Sequence, residues 1–529
     1  MTAMRLNRRD FLWGTAAASL ILPFTARAQI SPASPSKRFQ HGVASGDPMP
    51  DRVVLWTRVS ETSGTPDVHW KVSADPAFSK IVTSGTVRTA AVRDYTVKID
   101  AGGLEPATSY YYQFAIGSER SPIGRTRTLP ANDARRLRLG VVSCANYPYG
   151  FFNVYGRLAA RADLDAVLHL GDYIYEFENG RYGDGTSIGR VPRPPGETVS
   201  LDDYRARYAI YRSDPDLQEA HRQHPFITVW DDHELANNAW RDGAANHEAA
   251  EGDWRARRAA ASRAYFEWMP VREQMDLEPR LYRTFRFGGL ADLVMLDARS
   301  LRDQQVAVDD LAGIASPQRT MLGAAQEAWL ADQLRASQRG ETAWRLLGQQ
   351  VMFTRMTPAG QQVSTADSWD GYQGARDRLL DVIEQQRIED LVILTGDVHS
   401  SWAMDVPRSG WDGYTARSGE GSLAVEVTTP AISSPPIFAA DGQGRERAAA
   451  LRVMLPHLKF MDGENRGYLL LDVTRERAQI DYYFVPTVQQ RSSEEKHVAA
   501  FITERGASHL VDAGKPSLTQ QGAPLAPPH

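Results

Sequence analysis

Four short stretches of this chain carry residues that can bind a metal ion, and each follows a run of apolar residues. The stretches are residues 143–146, 172–176, 231–234 and 397–399. The third stretch has three carboxylates within four residues, and these repel one another unless they are solvated or hold a cation. Thiol, phenol, imidazole and carboxylate groups are the usual protein ligands of transition metals and calcium. The chemistry that we expect of these stretches is therefore metal binding.

Each stretch also has a purely structural interpretation. Asp172 follows Gly171 and suits a turn or a helix N-cap. Asp397 and His399 equally suit the turn after a strand. Cys144 is the only cysteine of 529 residues, so it cannot form a disulfide within the chain, and a lone buried cysteine often acts as a small apolar residue. The presence of all four stretches in one chain favours a metal site.

The apolar runs predict strands of a layered α/β domain, in which strands alternate with helices. The expected strands are 137–142, 166–170, 226–230, 293–296, 346–349 and 391–395. The expected helices include 254–268, 324–337 and 374–387. In open α/β sheets, ligands bind where the carboxyl ends of the strands meet. We therefore expect the four stretches to lie at the same edge of one layer of this domain, below long loops at 176–200 and 236–252.

Residues 38–130 predict a separate β-sandwich of the fibronectin III/Ig-like kind. Their short strands are rich in Val, Thr, Trp and Tyr and are separated by Gly and Pro. The segment from Leu104 to Tyr110 fits a tyrosine corner, in which the Tyr110 hydroxyl bonds back to the main chain. The expected division of the chain is 1–28, 38–130, 137–500 and 506–529. The last segment is rich in Pro and Gly, and we expect a poorly ordered tail.

The first 28 residues predict an export signal. Arg8 and Arg9 precede an apolar stretch at 11–24, and small residues at 26–28 suit cleavage. The arginine pair resembles a twin-arginine signal, which exports folded proteins. A membrane anchor is the alternative, but the apolar stretch is too short for a bilayer core of about 30 Å. We expect a periplasmic or secreted protein that uses the twin-arginine export machinery.

Composition excludes several other functions. The net charge is −5 and no cluster of Lys and Arg is present, which argues against a nucleic-acid partner. No other apolar stretch reaches transmembrane length, and no Gly-rich phosphate loop of the nucleotide-binding kind occurs. The length exceeds that of one ordinary core, so two or more domains are expected. We expect a monomer.

Taken together, the motifs resemble those of PhoD-like alkaline phosphatase/phosphodiesterases, relatives of purple acid phosphatases within the calcineurin-like metallophosphoesterases. The matching residues are Cys144, Asn146, 171–176, 231–234 and 396–399, with 39–58 in the N-terminal domain. The resemblance implies a β-sandwich followed by a four-layer αββα metallophosphoesterase domain over 137–500. It also implies a phosphatase or phosphodiesterase.

The resemblance further implies a site with one Fe³⁺ and one or two Ca²⁺. The implied iron ligands are Cys144, Tyr175 and His399, and Asp172 is the implied bridge between the metals. The implied ligands of the second metal are Asp232 and Asp397, with Asn146 or Asn237 nearby. Thiolate and phenolate donors suit a trivalent ion, while carboxylate and amide oxygens suit calcium.

The implied reaction is attack on phosphorus by a metal-activated water. The resemblance makes Asp172, Asp232 and His233 the catalytic group, with His233 facing the phosphate and able to protonate the leaving group. The further candidates for substrate contact are Asn146, Arg466 and His457. The alternative role for Arg466 is to hold a loop in place.

Three questions stay open in the sequence. The first is whether Asp231 or Asp232 faces the metal, and we favour Asp232 because it directly precedes His233 and Glu234. Gln349 stands where purple acid phosphatases have a histidine ligand, so that ligand is an amide or is absent. The substrate is a monoester or diester, with phosphate acquisition as the expected role. A phospholipase D-like activity is the close alternative, and a metal-stabilised extracellular binding protein is the remote one.

Overall fold

The computed structural model describes residues 37–273, 280–358, 360–409, 411–438 and 443–528. The predicted export signal with Arg8 and Arg9 lies outside these ranges. Within them, no helix combines the length and the apolar character that crossing a membrane requires.

The chain forms three sheets and eight α-helices in its described part. The first strands are β1 (Val43–Gly46), β2 (Arg52–Arg58), β3 (Asp67–Ser73), β4 (Ile81–Arg88), β5 (Thr96–Gly102), β6 (Ser109–Ile116), β7 (Glu119–Arg120), β8 (Gly124–Arg127), β9 (Leu137–Val142), β10 (Ala166–His169) and β11 (Pro225–Thr228). The later strands are β12 (Arg283–Phe287), β13 (Ala291–Met295), β14 (Trp344–Gln349), β15 (Leu391–Thr395), β16 (Ser401–Pro407), β17 (Ser422–Thr428), β18 (Leu458–Asp462), β19 (Arg466–Val473), β20 (Arg477–Val485), β21 (Lys496–Glu504) and β22 (Val511–Asp512). The α-helices are α1 (Asn153–Ala159), α2 (Leu201–Tyr211), α3 (Pro215–Gln223), α4 (Trp254–Trp268), α5 (Leu311–Ala315), α6 (Gly323–Arg339), α7 (Gln373–Gln385) and α8 (Gly444–Met454).

Two large sheets pack face to face between helices. The ten-stranded sheet has the order β22-β21-β20-β19-β9-β10-β11-β1-β2-β5, and the seven-stranded sheet has the order β12-β13-β14-β15-β17-β16-β18. Along β13, Leu293 and Met295 enter the core that also contains residues of the ten-stranded sheet, whereas Val294 packs with α6 and α7 on the outer face. Side chains of α1, α2, α3 and α4 pack in the first core. The predicted αββα arrangement is confirmed.

The N-terminal segment forms the predicted β-sandwich. Its own sheet has the order β4-β3-β6-β7, with β8 paired to β6. This sheet packs on β1, β2 and β5 through a core that includes Val53, Leu55 and Tyr112. The tyrosine corner is present, because the Glu105 amide donates a 2.8 Å hydrogen bond to the Tyr110 hydroxyl.

The second sheet of the sandwich, formed by β1, β2 and β5, is part of the ten-stranded sheet. Strand β1 pairs in parallel with β11, in the register Ser45–Pro225 and Gly46–Phe226. On β2, Trp56 is fully buried and its Nε1 donates to the Glu267 carbonyl at 2.8 Å. The expected boundary after residue 130 therefore separates two chain segments, and it does not separate two sheets. Sequence patterns around one strand do not reveal a partner that lies nearly two hundred residues away.

The C-terminal segment is held against the protein, contrary to the expected disorder. Its main-chain and side-chain hydrogen bonds run from the ten-stranded sheet to the N-terminal sandwich. The bonds join Ser517 to Asp481, Gln520 to Asp163, Pro524 to Tyr111 and Ala526 to Gln223. Pro and Gly permit this extended path, since a chain can satisfy its backbone groups on a neighbouring surface without forming a helix or sheet of its own.

The shared sheet predicts that residues 37–130 do not fold when produced alone. Without β11, the edge of β1 is unpaired and Trp56 loses its cover, so the fragment exposes both an open edge and apolar surface. We expect little protection of its amides in hydrogen exchange, and aggregation at micromolar concentration. The intact chain is the control. A monomeric fragment with dispersed NMR resonances would contradict this prediction.

Candidate metal centre

The four metal-binding stretches converge at one edge of the packed sheets. The parallel strands β9, β10 and β11 deliver the first three stretches, and β15 of the facing sheet delivers the fourth. A cavity of about 380 Å³ opens there. The polar residues that line it include Asp172, Asp232, His233, Asn237, Asp397 and His399. The stretches meet as expected, but they come from two facing sheets and not from one layer. Tyr182 and Asn237 from the two long loops also line the cavity.

One group of side chains contains the residues predicted to hold iron. The ligand atoms of Cys144, Asp172 and His399 lie within 4.8 Å of one another and are buried. The Tyr175 hydroxyl lies 2.8 Å from Asp172 Oδ2 and 3.0 Å from His399 Nε2. Thiol, phenol, carboxylate and imidazole thus surround one small volume.

His399 is oriented as a metal ligand requires. Its Nδ1 lies 2.9 Å from the Pro435 carbonyl oxygen, which can only accept a hydrogen bond. The proton therefore belongs on Nδ1, and Nε2 keeps its lone pair. That lone pair faces Tyr175 and Asp172.

Two further groups share the carboxylates of the cavity. Asp172, Asp232 and His233 form the second group, and Asp231, Asp232 and Asp397 form the third, each with ligand atoms within 4.8 Å. Asp172 belongs to both the first and the second group, which is the position of a bridging ligand. Buried oxygens without a hydrogen-bond partner include Asp172 Oδ1 and Asp232 Oδ1. Because such oxygens are costly to bury unpaired, the site fits metal ions.

The thiol and the phenol of the first group need a cation to ionise. Burial raises the pKa of Cys144 well above its usual value, and the charge of Asp172 adds to this shift. The pKa of Tyr175 is raised well above its usual value for the same two reasons. A bound cation reverses this balance, since a coordinating thiol is deprotonated.

The backbone holds the candidate ligands in a sparsely populated conformation. The φ angles are 63° at Cys144, 55° at Asp172, 64° at Asp397 and 50° at His399, in the left-handed region that L-residues seldom adopt. Such strain concentrates at functional sites and persists where the surrounding structure enforces it. A side chain at Gly171 would place its Cβ 2.4 Å from the Asp231 Cβ, which explains the glycine before Asp172.

Glu234 links the segments that follow β10 and β11 by hydrogen bonds. Its carboxylate accepts hydrogen bonds from the amides of Asp172 at 3.0 Å, Tyr173 at 2.5 Å and Asp231 at 2.8 Å. The third carboxylate of the 231–234 stretch therefore serves the backbone rather than the cavity.

His233 lies among carboxylates that favour its protonated form. Its Nδ1 lies 2.7 Å from Glu176 Oε2, and Glu176 also accepts from the Asn237 amide and the Asn246 side chain. Burial lowers the pKa of this imidazole, but the charges of Asp172, Glu176 and Asp232 outweigh burial and raise the pKa well above its usual value. The imidazolium can therefore donate a proton to a ligand in the cavity.

The side chains of the two adjacent aspartates, Asp231 and Asp232, have different surroundings. Asp232 lines the cavity, whereas Asp231 is turned to Arg299, whose Nε contacts Asp231 Oδ1. Gln349 is occupied elsewhere: its Nε2 donates to Thr395 at 2.7 Å, and its Oε1 accepts from Trp369 at 3.2 Å. The geometry thus favours Asp232 and offers no free amide from Gln349.

Five predicted site residues do not line the cavity. Cys144 and Tyr175 belong to the buried first group, and the other three have different partners. Asn146 donates to the Tyr182 carbonyl at 2.7 Å and accepts from the Tyr149 amide at 3.2 Å. Arg466 donates to the Tyr149 hydroxyl at 3.1 Å and lies over its ring, which is the loop-tying alternative. His457 is buried 5.5 Å from the Trp411 ring, because it precedes β18 at the far edge of its sheet. Substrate contacts by Arg466 and His457 are therefore not supported.

Sequence analysis missed Arg299 and its partner Asp367. Arg299 lies four residues beyond β13, at the edge where β15 ends, and its side chain is fully buried. Its Nη1 contacts Asp367 at 2.6 Å and its Nη2 contacts Asp397 at 2.6 Å. The available signal was a charged residue just after the predicted strand 293–296. Tyr182 was also missed; its ring lies nearly parallel to that of His233 at 6.0 Å.

Family models match nearly the whole described chain. The model of the PhoD-like phosphatase matches residues 139–482, and the model of its N-terminal domain matches residues 25–130. The chain belongs to the PhoD-like phosphatase family. Alkaline phosphatase D of Bacillus subtilis (strain 168) is 34% identical over 534 residues, which cover 95% of this chain and 88% of that relative.

Solved structures agree with this membership. A structure of PhoD superimposes with a TM-score of 0.81 at 33% identity, covering 93% of this chain and 95% of that one. A purple acid phosphatase from yellow lupin (Lupinus luteus) seeds has a TM-score of 0.56 at 11% identity and covers 91% and 77% of the two chains, which shows a common fold. The chain is a phosphoesterase that depends on metal, and the predictions of family, fold and enzyme class are confirmed.

The contact between Glu176 and His233 predicts a pH effect in this PhoD-like phosphatase. If protonated His233 is needed, activity falls as the pH rises through its pKa. Glu176→Gln removes a negative charge that raises this pKa, so the alkaline limb of the kcat profile should move to lower pH. Glu197→Gln is the control, because Glu197 contacts Asn246 and not His233. An unchanged alkaline limb in Glu176→Gln would show that His233 does not set it.

Proposed function

We propose that this chain is an exported PhoD-like phosphatase that hydrolyses phosphate monoesters and diesters outside the cytoplasm and so supplies phosphate. The observation that carries the proposal is the position of Asp172, which belongs to two adjoining groups of ligand atoms beside an open cavity. One carboxylate shared between two groups suits two metal ions that act on one phosphate.

The donor sets suit different ions. In the proposal, Fe³⁺ is held by Cys144, Tyr175 and His399, because anionic sulfur and phenolate donors suit a trivalent ion. Calcium is held by Asp232 and Asp397, with Asn237 beside them, because hard oxygen donors suit Ca²⁺. The proposed bridge between the ions is Asp172.

Bound cations would neutralise the phosphoryl oxygens and activate a water for in-line attack. The residues of the chain supply the rest of the proposed mechanism. Glu176 occupies Nδ1 of His233, so Nε2 is the nitrogen that donates a proton to the leaving oxygen. The left-handed backbone at Asp172 and Asp397 fixes their carboxylates before substrate arrives, which avoids reorganisation during the reaction.

The rim of the cavity favours esters with an apolar group. Val398, Pro435, Pro436 and Ile437 are apolar residues of its lining, and Ile437 is 51% exposed. An apolar wall beside a charged floor suits a phosphodiester whose second substituent is a hydrocarbon or an aryl group. Diester hydrolysis, including a phospholipase D-like activity on phospholipids, is therefore the second candidate.

The proposed iron site predicts a coloured protein. Metal analysis should give one iron per chain together with calcium, and Tyr175→Phe should lose a visible tyrosinate-to-iron absorption band. Tyr173→Phe is the matched control, because the Tyr173 hydroxyl contacts His221 instead of the cavity. A fully active protein without iron would contradict the mixed-metal proposal.

The same preparations distinguish the substrate classes. We expect hydrolysis of both p-nitrophenyl phosphate and its bis ester, with a loss of at least about 10²-fold in Asp172→Asn. A preference for the bis ester that falls in Ile437→Asp would support the diesterase candidate. Metal-loaded protein inactive on every phosphate ester would contradict both candidates.

The arginine pair predicts the export route. Replacing Arg8 and Arg9 by lysines should keep the folded, active enzyme inside the cytoplasm, because paired arginines are the feature read by the twin-arginine system. Replacing Arg27 by lysine is the control, because it is also a charge-preserving change in the leader but lies outside the arginine pair. Unchanged activity outside the cytoplasm in the Arg8/Arg9 variant would exclude this route.

A further inference from the structure

The third carboxylate group already contains a positive charge. Asp231, Asp232 and Asp397 offer ligand atoms within 4.8 Å of one another, a geometry that could hold a cation. Arg299 contacts all three of them. Its side chain is fully buried.

Each part of the Arg299 fork meets a different carboxylate. Nε contacts Asp231, Nη1 lies 2.6 Å from Asp367, and Nη2 lies 2.6 Å from Asp397 and 3.5 Å from Asp232. A planar guanidinium with five fixed donors can satisfy carboxylates in several directions at once, which a lysine cannot do.

We propose that Arg299 is the resident cation of the third carboxylate group and a positioning residue for the metal centre. It takes the place of a metal ion between these three carboxylates, because an ion entering there would meet a like charge and would leave the buried guanidinium without partners. The calcium proposed above binds Asp232 and Asp397 from the cavity, which both residues line. It also fixes two residues that line the cavity: Asp397 through Oδ1, and Asp232, whose Oδ2 accepts from the Asn238 amide. The proposal rests on the metal centre proposed above for the first two groups.

Asp367 anchors the guanidinium from the other side. Its carboxylate accepts from Arg302 Nη2 at 2.6 Å and from Gln305 Nε2 at 2.6 Å. Arg302 donates further to the main-chain carbonyls of Ala239 and Asp367. The fork of Arg299 is therefore fixed at Nη1, while Nε contacts the buried Asp231 and Nη2 contacts Asp397 and Asp232 of the cavity.

The test compares the metal content of three purified variants with that of the unmodified protein. Arg299→Gln removes the charge and should bind one more divalent cation per chain, measured by elemental analysis and by calcium titration calorimetry. Arg299→Lys keeps the charge and should keep the original metal count, but its kcat should fall at least about ten-fold because one ammonium cannot orient all the carboxylates. Arg302→Gln is the matched control, a buried arginine that contacts Asp367 but not Asp397, and should keep the original metal count.

Each outcome decides one point. An unchanged metal count in folded Arg299→Gln, or a full kcat in Arg299→Lys, would overturn the proposal. If Arg299→Gln folds only with millimolar calcium, the added cation has replaced the guanidinium, as proposed. If Arg299→Gln does not fold even with calcium, the metal count and kcat of Arg299→Lys test the proposal. An unmodified protein that binds no metal would refute the proposed centre itself, a result distinct from these.

Discussion

The repulsion between buried carboxylates is the constraint around which this site is organised. The carboxylates concerned are Asp172, Asp231, Asp232, Asp367 and Asp397, all at one edge of the packed sheets. Interactions between charges are strong where water is scarce. In the described part of the chain, cations that contact this cluster include Arg299, Arg302 and His233. Bound metal ions would balance the remaining negative charge, whereas without them burial and the neighbouring carboxylates raise the pKa of Asp397 to about 7. Metal dependence thus follows from the electrostatics of the fold as well as from family membership.

Groups that repel one another must be held by the rest of the structure. The left-handed backbone at Cys144, Asp172 and His399, and the three amides that bind Glu234, keep the strand ends in place. This strain is tolerated because each segment follows a strand of the buried sheets. The fold therefore supplies the order of the site, and the ions supply its charge balance.

Sequence patterns predicted the parts of this structure that depend on local chemistry. Strands β9 and β15 and helix α4 have the expected bounds, because apolar runs and helical periodicity are properties of neighbouring residues. The motifs around Cys144 and Asp172 were recognisable because their spacing is short. Arg299 was missed because one arginine carries no motif. His457 was misplaced because its location depends on β18, which pairs only with a strand more than fifty residues earlier.

The pairing of β1 with β11 also sets the order in which the molecule can be completed. Ser45 emerges from the ribosome long before its partner Pro225. The sandwich is therefore synthesised before the strand β11 that pairs with its strand β1. The last residues then bind Tyr111 and Gln223, which join the C-terminus to the two segments made earlier. Folding therefore needs contacts between segments made at different times, and a chain released before Pro225 lacks the strand that pairs with β1.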